Sequence, residues 1–295
     1  MLKLEYLAQL LETNRDAALA PVKNFLIGGK PWSFHPDPAL MGVINLSPDS
    51  WYRESVCLSA ESAIQRGKIL AAQGAAIIDI GAESSLAHAA RADSVSQNSK
   101  LLPVVKSLRA ENILVSVETY QPDVAKMCIE AGANVLNLTG SKTNEEIFRV
   151  AAANDVAVIL CFVQGENVRE VSDFNLETDP ISFMSDYFSR QIDLAARCGL
   201  EKIFLDPGLG FYYRNLQDSA VRVRHQMKVF LNTFRLRALG FPLCHALPHA
   251  FEFFGEEVRG AEPFFAVLAA LGKTDLFRTH EVARTKAVLD TLKIF

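Results

Sequence analysis

The segment FLDPGLGF at residues 204–211 begins with a short apolar run and ends with residues that favour a tight turn. An ionised carboxylate such as that of Asp206 is costly to bury in the middle of a strand. At the carboxyl end of a strand, where Pro207 and Gly208 begin a loop, the same carboxylate can face a cleft and bind a ligand. The segment therefore predicts a buried strand that ends in a binding residue.

Similar apolar runs recur along the chain, and each is followed by a segment with helical periodicity. We predict strands at 40–46, 76–81, 113–118, 134–139, 156–162, 202–206, 242–247 and 275–280. Helical patterns lie near 60–73, 98–110, 121–131, 143–153, 181–198, 214–239, 261–271 and 281–292. Eight strand–helix units match a (β/α)₈ TIM barrel in number and in chain length. An open doubly wound sheet is the alternative, because periodicity alone does not show that a sheet closes.

The first 39 residues do not follow this alternation. Residues 1–20 have the pattern of an amphipathic helix, and residues 25–34 predict a hairpin that turns at Gly28, Gly29 and Lys30. We therefore expect residues 1–39 to form a helix and hairpin extension that covers the bottom of the barrel. Residues 40–295 are expected to form the barrel as a single domain, since no linker or low-complexity tract interrupts them.

Composition and charge exclude several classes of function. The chain has 30 basic and 34 acidic residues and a formal net charge of −4, which gives no electrostatic footprint for nucleic acid. No stretch approaches the roughly 20 apolar residues needed to span a bilayer. The five cysteines are scattered and form no C-x-x-C pair, so they predict neither a disulfide framework nor a zinc site. We expect reduced thiols, a cytoplasmic location, no nucleic-acid partner and no membrane partner.

Polar residues lie near the carboxyl ends of six of the eight predicted strands. In chain order they are Asn45, Asp79, Glu118, Asn137, Asp206, and Arg278 with His280. In a barrel these strand ends surround one mouth, where such folds place their chemistry. An ionised carboxylate accepts two parallel hydrogen bonds, which suits a flat heterocycle with an amino group beside a ring N–H. Arginine and histidine suit an anion, so the pattern predicts a donor-rich ring with an anionic end.

Six segments of the sequence resemble the dihydropteroate synthase family, within the wider group of pterin-binding barrels. They occur in the family's order from about residue 40 to the C-terminus, and DPGLGF matches the family pattern D-P-G-x-G-F without change. The segments are MGVINLSPDSW (41–51), GAAIIDIGAESS (74–85), VSVETYQPDVA (115–125), GANVLNLTG (132–140), DPGLGF (206–211) and RTHEV (278–282). Because several motifs occur in register, the resemblance is specific.

The resemblance implies an activity and a role for each matching residue. The family joins a hydroxymethyl-pterin diphosphate to p-aminobenzoate and releases diphosphate, and its members generally form homodimers. It implies that the pterin contacts Asp79, Glu118, Asn137 and Asp206, and that the diphosphate contacts Asn45, Arg278 and His280. Asn45 is also the implied ligand of Mg²⁺. Glu118 stands where the family has aspartate, so its carboxylate is displaced by about one bond length.

Two segments depart from the family pattern on the arylamine side. The loop that normally reads S-T-R-P-G is SSLAHA (84–89) here, with Leu86 and Ala87 in place of the arginine and proline. The end of the seventh strand normally reads S-R-K-S, whereas this chain has HALPHAF (245–251). The family lysine position falls at Ala250 or nearby, so the catalytic group is unknown. We expect pterin binding to persist and the arylamine reaction to be lost or altered.

Three alternatives remain open from the sequence. The chain could be a working synthase with rearranged loops. It could be a pterin- or folate-dependent methyltransferase. Such enzymes need no diphosphate-binding residues, so the retention of Arg278 and His280 argues against this alternative. It could also be a non-catalytic barrel that acts as a partner protein, for which the apolar segment 260–272 offers an interface.

Overall fold

The computed structural model describes residues 1–34, 37–50, 52–84, 91–167, 173, 179–210, 216 and 218–294. The strands are β1 (Phe25–Ile27), β2 (Lys30–Trp32), β3 (Ala39–Asn45), β4 (Ile77–Gly81), β5 (Leu114–Thr119), β6 (Val135–Leu138), β7 (Ala157–Cys161), β8 (Ile203–Asp206), β9 (Cys244–Ala246) and β10 (Leu276–Thr279). The helices are α1 (Leu4–Thr13), α2 (Arg15–Leu19), α3 (Ala60–Ala72), α4 (Ser94–Ala110), α5 (Pro122–Glu130), α6 (Asn144–Ala153), α7 (Pro180–Arg197), α8 (Ser219–Asn232), α9 (Phe251–Phe254), α10 (Ala261–Leu271) and α11 (Val282–Leu292). Short 3₁₀ helices lie at Arg53–Ser55, Thr233–Leu239 and Gly255–Gly260.

The main sheet is a parallel barrel. Its strand order is β8-β7-β6-β5-β4-β3-β10-β9. A parallel bridge between Leu205 and Leu243 brings the two ends of that order together. Helices follow each strand in the chain, as right-handed βαβ connections require. The predicted (β/α)₈ barrel is therefore confirmed, and the open doubly wound sheet is wrong.

The strands alternate between two apolar environments, which explains why they read as nearly continuous hydrophobic runs. On β4, Ile78 and Ile80 pack outward against the helices, whereas Ile77 belongs to the inner cluster of the barrel. Since side chains alternate along a strand, Asp79 points inward, above Ile77. The same spacing places Asn137 above Val135 on β6. The lower part of the barrel interior is thus apolar, and its upper part carries polar side chains.

The hairpin of β1 and β2 lies against the lower end of the barrel. Gly28 and Gly29 both have positive φ, which the two-residue turn requires and which glycine adopts without strain. The rings of Phe25 and Phe34 each lie 5.3 Å from the ring of Phe204 on β8. These contacts join the hairpin and Phe34 to the inner cluster, so they contribute to the packing of the barrel.

The helices begin and end near the predicted residues, with two clear differences. The single amphipathic helix predicted in residues 1–20 is instead two helices, α1 and α2, which meet at Asn14. The predicted helix at 214–239 becomes α8 followed by a 3₁₀ helix, and residues 214, 215 and 217 lie outside the described part. Next to the junction, Asn232 Nδ2 donates to Lys228 O at 2.8 Å and Thr233 Oγ1 donates to Val229 O at 2.6 Å. Such bonds back to helix carbonyls compete with the regular ladder. No helix in the described ranges is long and apolar enough to cross a membrane.

Candidate functional site

A cavity opens at the carboxyl ends of the barrel strands. Six of the seven residues predicted for the site line it: Asn45, Glu118, Asn137, Asp206, Arg278 and His280. The register of the sheet explains this convergence, because Glu118 on β5 pairs with Asn137 on β6. Side chains at paired positions on neighbouring strands point to the same side of a sheet. Polar side chains from the ends of several strands therefore line one cavity, as the sequence predicted.

Asp79 is the seventh residue, and it lies beneath this cavity. It is fully buried, and its Oδ1 accepts a hydrogen bond from Ser116 Oγ at 2.6 Å. Its Oδ2 accepts from Asn137 Nδ2 at 3.1 Å and from Arg278 Nε at 2.7 Å. A buried carboxylate with this many donors is well satisfied. In this structure Asp79 therefore holds its neighbours in place and does not itself face the cavity.

Arg278 extends from β10 into the region predicted for the pterin. Its Nε contacts Asp79, and its Nη2 donates to Glu118 Oε2 at 2.5 Å. The guanidinium therefore joins two of the acids that the resemblance assigns to the pterin, although it was itself predicted for the diphosphate. The extra methylene of glutamate at position 118 gives this side chain the reach to meet the arginine. A ring that bound Asp79 or Glu118 through these oxygens would have to displace Arg278.

The charges at this end of the cavity are unequal. Three carboxylates, those of Asp79, Glu118 and Asp206, surround one guanidinium, and like charges in a buried site favour protonation. Burial raises the pKa of Asp206 to about 6, although a hydrogen bond from Gly208 N and the charge of Arg278 oppose the shift. Burial also raises the pKa of Glu118 above its usual range. At pH 7 the carboxylate of Asp206 is still mostly ionised, so it accepts hydrogen bonds from a ligand that offers donors.

Cys161 lies between these groups on β7, directly opposite Asp206 in the sheet. Its Sγ is 3.5 Å from Asn137 Oδ1, and the side chain lines the cavity. Burial and the charge of Asp206 raise the pKa of the Cys161 thiol well above its usual value. A thiol that stays protonated is a poor nucleophile. We therefore assign Cys161 to packing beside the polar floor.

Asn45 ends β3 at the side of the cavity near the short 3₁₀ helix Arg53–Ser55. Its Nδ2 donates to Ser55 Oγ at 2.6 Å. The amide nitrogen is thereby occupied, which directs the amide so that Oδ1 remains as the acceptor. An amide oxygen is a ligand type that Mg²⁺ accepts.

His280 lies just beyond β10 and is held by Glu262 of α10. His280 Nδ1 is 2.7 Å from Glu262 Oε1. Glu262 Oε2 accepts from the backbone nitrogens of His280 and Glu281 at 2.9 and 3.0 Å, and from the hydroxyl of Thr279. These bonds fix the carboxylate, which is fully buried. Glu262 therefore orients His280 at the edge of the cavity.

His249 lies on the loop after β9 and completes this corner. Its Nδ1 is 3.6 Å from Glu262 Oε1, and its ring stacks on that of Tyr52 with centroids 4.6 Å apart. Desolvation by burial lowers the pKa of His249 to about 4. The imidazole is therefore neutral at pH 7. It does not supply the positive charge that the lysine of the resembling family would bring to this wall.

The wall after β9 carries no lysine in the described structure. Residues 246–250 line the cavity, and Ala250 has a positive φ of 46°. The positively charged residues of the described cavity lining are Arg278 and Arg222. Arg222 is paired, since its Nη2 donates to Glu252 Oε1 at 2.6 Å. The other departures, at Leu86 and Ala87, lie outside the described residues.

The sequence did not single out three residues that shape the site, although signals for two of them were present. Ser116 is two residues before Glu118, so the alternation of a strand places both on the inner face. Glu262 is the acid within the apolar segment GAEPFFAVLAALG (260–272), and a lone acid in such a helix indicates a buried partner. Tyr52, whose hydroxyl donates to Glu281 Oε1 at 2.5 Å, has no such signal.

Comparisons with known proteins agree with this geometry. The family described as "Pterin binding enzyme" matches residues 41–243. A dihydropteroate synthase of Synechocystis sp. is 30% identical over 257 residues, covering 82% of this chain and 85% of the relative. A dihydropteroate synthase of Streptococcus pyogenes is 27% identical over 266 residues, covering 86% and 94%. The solved Xanthomonas albilineans dihydropteroate synthase with 4-aminobenzoic acid superposes with a TM-score of 0.78 at 24% identity, covering 93% and 98%, which supports the fold.

Proposed function

The chain belongs to the dihydropteroate synthase family of pterin-binding enzymes, and from this premise we propose that it binds a pterin diphosphate and condenses it with an arylamine only slowly. The observation that carries the proposal is the cavity in which Asn137, Asp206 and Glu118 face Arg278 and His280. Asn137 and Asp206 offer acceptors to a ring, and His280 lies at the edge that suits an anion. Arg278 lies between them, bonded to Asp79 and Glu118, and would complete the anion site once it leaves these acids.

Asp206 is the residue that would hold the ring. Its Oδ1 accepts from Gly208 N at 2.7 Å, which fixes the carboxylate at the end of β8. The amino group and the neighbouring ring N–H of a pterin form two parallel donors, which match the two oxygens of a carboxylate. Asn137 lies on the adjoining floor and offers both a donor and an acceptor. Together these two side chains would recognise the edge of the heterocycle.

Arg278 would have to move before the ring could reach Glu118. The arginine contacts Asp79 and Glu118 through two nitrogens, so its withdrawal removes two charge-assisted hydrogen bonds. A ring donor that Asp206 does not bind would replace the bond to Glu118, and the released guanidinium would bind the diphosphate beside His280. Pterin and diphosphate would then bind cooperatively, because each favours the same position of Arg278.

Mg²⁺ is proposed as a companion of the diphosphate, with Asn45 as its protein ligand. The hydrogen bond from Asn45 Nδ2 to Ser55 Oγ leaves Oδ1 as the acceptor. Mg²⁺ commonly uses one or two protein oxygens together with substrate phosphates and water. The ion would neutralise charge on the departing diphosphate.

The condensation itself requires stabilisation of negative charge on the departing diphosphate, and the described part of this chain has few groups that can provide it. The arylamine nitrogen attacks the methylene carbon, the C–N bond forms as the C–O bond to diphosphate breaks, and the amine loses a proton. Negative charge develops on the leaving group during this step. The wall after β9 presents Ala250 and the neutral His249 where a lysine is expected. Removing one preorganised charge or donor commonly costs about 10²–10³-fold in rate.

The test measures pterin binding and condensation separately. We expect a hydroxymethyl-pterin to bind at micromolar concentration, measured by calorimetry. Condensation of its diphosphate with p-aminobenzoate is expected to be at least about 100-fold slower than in a relative that carries the S-R-K-S segment. Absence of pterin binding by folded protein would refute the proposal as a whole. A rate equal to that of the relative would refute only the slow condensation.

Pterin affinity is expected to rise with pH between 5 and 7. Since burial raises the pKa of Asp206 to about 6, this carboxylate gains its charge within that window. At pH 5 roughly one tenth of the site would be ionised, so affinity should be about tenfold lower than at pH 7. Calorimetric titrations across this range in one buffer system would measure the change. The Asp206→Asn variant is the control, since it should lack the step near pH 6.

The raised pKa of Asp206 should make the folded state less stable as the pH rises, whereas it makes pterin binding stronger. The pKa of Asp206 is higher in the folded chain than in an unfolded one, so the folded state binds the proton more tightly. Its contribution to the free energy of unfolding is therefore largest below about pH 4 and declines as the pH rises towards 6. A parallel rise in affinity and in stability would contradict the assignment of the titration to Asp206.

The predicted homodimer and cytoplasmic location stay predictions. The homodimer follows from the resemblance, and the cytoplasmic location follows from the cysteine pattern. Analytical ultracentrifugation would measure the oligomeric state.

A further inference from the structure

His249, Glu262 and His280 meet at the edge of the cavity and form what we call the His–Glu–His cluster. One potential ligand atom from each residue lies within 4.8 Å of the other two. The three residues come from separate parts of the fold: the loop after β9, the first turn of α10 and the end of β10. Histidine nitrogens and a carboxylate oxygen are the ligand set of many zinc sites that retain an open position.

The carboxylate of Glu262 is already oriented for such a role. Its Oε2 accepts from the backbone nitrogens of His280 and Glu281 and from the hydroxyl of Thr279. Its Oε1 faces both imidazoles, at 2.7 Å from His280 Nδ1 and 3.6 Å from His249 Nδ1. Hydrogen bonds that fix a ligating carboxylate are a usual feature of metal sites. Here they leave one oxygen directed at the two rings.

His249 supplies the second, independent observation. Its Nδ1 is buried and makes no hydrogen bond to any described residue. A buried imidazole nitrogen without a partner carries a desolvation penalty, so an unpaired one indicates a missing group. The ring is held in place by stacking on Tyr52 with an interplanar angle of 14°. The unpaired nitrogen thus lies next to the one carboxylate oxygen that is still directed at the rings.

We propose that the His–Glu–His cluster binds a divalent transition metal ion of the zinc type. Zinc bonds to nitrogen and oxygen measure about 2.0–2.2 Å, which places neighbouring ligand atoms of a tetrahedral ion roughly 3.4 Å apart. Glu262 Oε1 lies 2.7 Å from His280 Nδ1 and 3.6 Å from His249 Nδ1, and all the ligand atoms lie within 4.8 Å of one another. An ion that enters the cluster would therefore separate the closest pair and draw the most distant atoms together. Where the ion replaces the Nδ1 proton that His280 shares with Glu262, that proton passes to solvent.

The site differs from the Mg²⁺ position proposed above. Mg²⁺ prefers oxygen ligands in octahedral geometry, whereas two imidazoles favour zinc, cobalt, nickel or copper. His249 and His280 both line the cavity, so the fourth position of the ion would open towards it. The ion would place positive charge beside Ala250, where the resembling family has lysine. Binding of the ion does not depend on the proposed pterin function.

The simpler alternative is that Glu262 only orients His280 through their hydrogen bond. That arrangement explains His280, but it leaves His249 Nδ1 without a partner. The two alternatives differ in one measurable property, because only a metal site requires His249.

The experiment titrates the full chain, after removal of metal with a chelator, with Co²⁺ and then with Zn²⁺. We expect one equivalent of Co²⁺ to bind and to produce the intense visible bands of tetrahedral coordination, which Zn²⁺ then abolishes. His249→Gln should weaken metal binding by at least about tenfold. Loss of a residue that only hydrogen-bonds to a metal ligand already weakens binding by about 10–100-fold. His225→Gln, on α8 and outside the cluster, should leave binding unchanged. Calorimetry in buffers of different ionisation enthalpy should report a released proton.

Two outcomes would overturn the proposal. One is the absence of stoichiometric Co²⁺ or Zn²⁺ binding by folded wild-type chain. The other is unchanged binding in His249→Gln, which would place any bound ion elsewhere. Glu262→Gln provides a further comparison, but its buried carboxylate supports three donors around β10, so its folding must be checked by circular dichroism first. His249→Gln, on a loop, keeps the test decisive if that variant does not fold.

Discussion

Replacement of Asp206 by asparagine is expected to weaken pterin binding about 100-fold. The carboxylate is 2% exposed and lies at the floor of the cavity, so its hydrogen bonds to a ligand are shielded from water. A hydrogen bond to a charged group contributes about 1.5–3 kcal/mol, and asparagine replaces one of two acceptor oxygens with a donor. That donor would face the donors of the ring. A loss of about 2.7 kcal/mol corresponds to the 100-fold change.

Asparagine is chosen because it preserves the local fold. Its amide oxygen can still accept the hydrogen bond from Gly208 N, which orients the side chain in the native protein. Isothermal titration with a hydroxymethyl-pterin would measure the affinity. Asp186→Asn, exposed on α7, is the matched control and should bind as tightly as the wild type. Native-like affinity in Asp206→Asn would show that the ring is held by other residues.

Replacement of Asp275 by alanine is expected to lower the free energy of unfolding by about 3–5 kcal/mol. Asp275 Oδ2 accepts from Arg237 Nη1 at 2.6 Å and from Leu243 N at 2.8 Å. Arg237 is fully buried, so removing the carboxylate leaves an uncompensated charge in the interior. The backbone of Asp275 also bonds to Ala39 and Leu243. The side chain therefore connects Arg237 to the segment before β9, whereas the backbone bonds to Ala39 and Leu243 remain in the variant.

Urea denaturation followed by circular dichroism would measure this loss. The double variant Asp275→Ala with Arg237→Met should be less destabilised than the sum of the single variants, because the unpaired charge is then removed as well. Asp290→Ala breaks the exposed pair with Lys286 and should change stability very little. A loss below about 1 kcal/mol in Asp275→Ala would contradict the proposed role of the buried pair.

The sequence predicted those parts of the site that follow from strand periodicity. A strand has a two-residue repeat, so an acid at a strand end of the barrel points either inward or outward, and Asp79, Glu118 and Asp206 all fall on inward positions. Parallel pairing then brings the strand ends to one mouth, as in the pairing of Glu118 with Asn137. Backbone geometry alone fixes these relations.

Other parts depend on side-chain dihedral angles and on long-range packing. Arg278 has a long side chain that can reach either the acids or an anion, and its position in the motif does not decide between them. Glu262 contacts His280 from α10, whereas His280 follows β10, and no local pattern specifies that pairing. The transition from α8 to a 3₁₀ helix likewise arises from side-chain bonds of Asn232 and Thr233. Such features depend on side-chain dihedral angles or on contacts between parts of the chain that are distant in sequence.

The hairpin beneath the barrel has a consequence for ligand recognition. Phe25 and Phe34 pack edge-on against Phe204, and Phe204 is two residues before Asp206 on β8. Both residues face the interior, so the aromatic contact below restricts the movement of the strand that presents the carboxylate above. The N-terminal hairpin region therefore packs beneath the strand that carries the binding residue. We therefore expect substitutions in this hairpin to change the affinity for the ligand, although no side chain of its described residues lines the cavity.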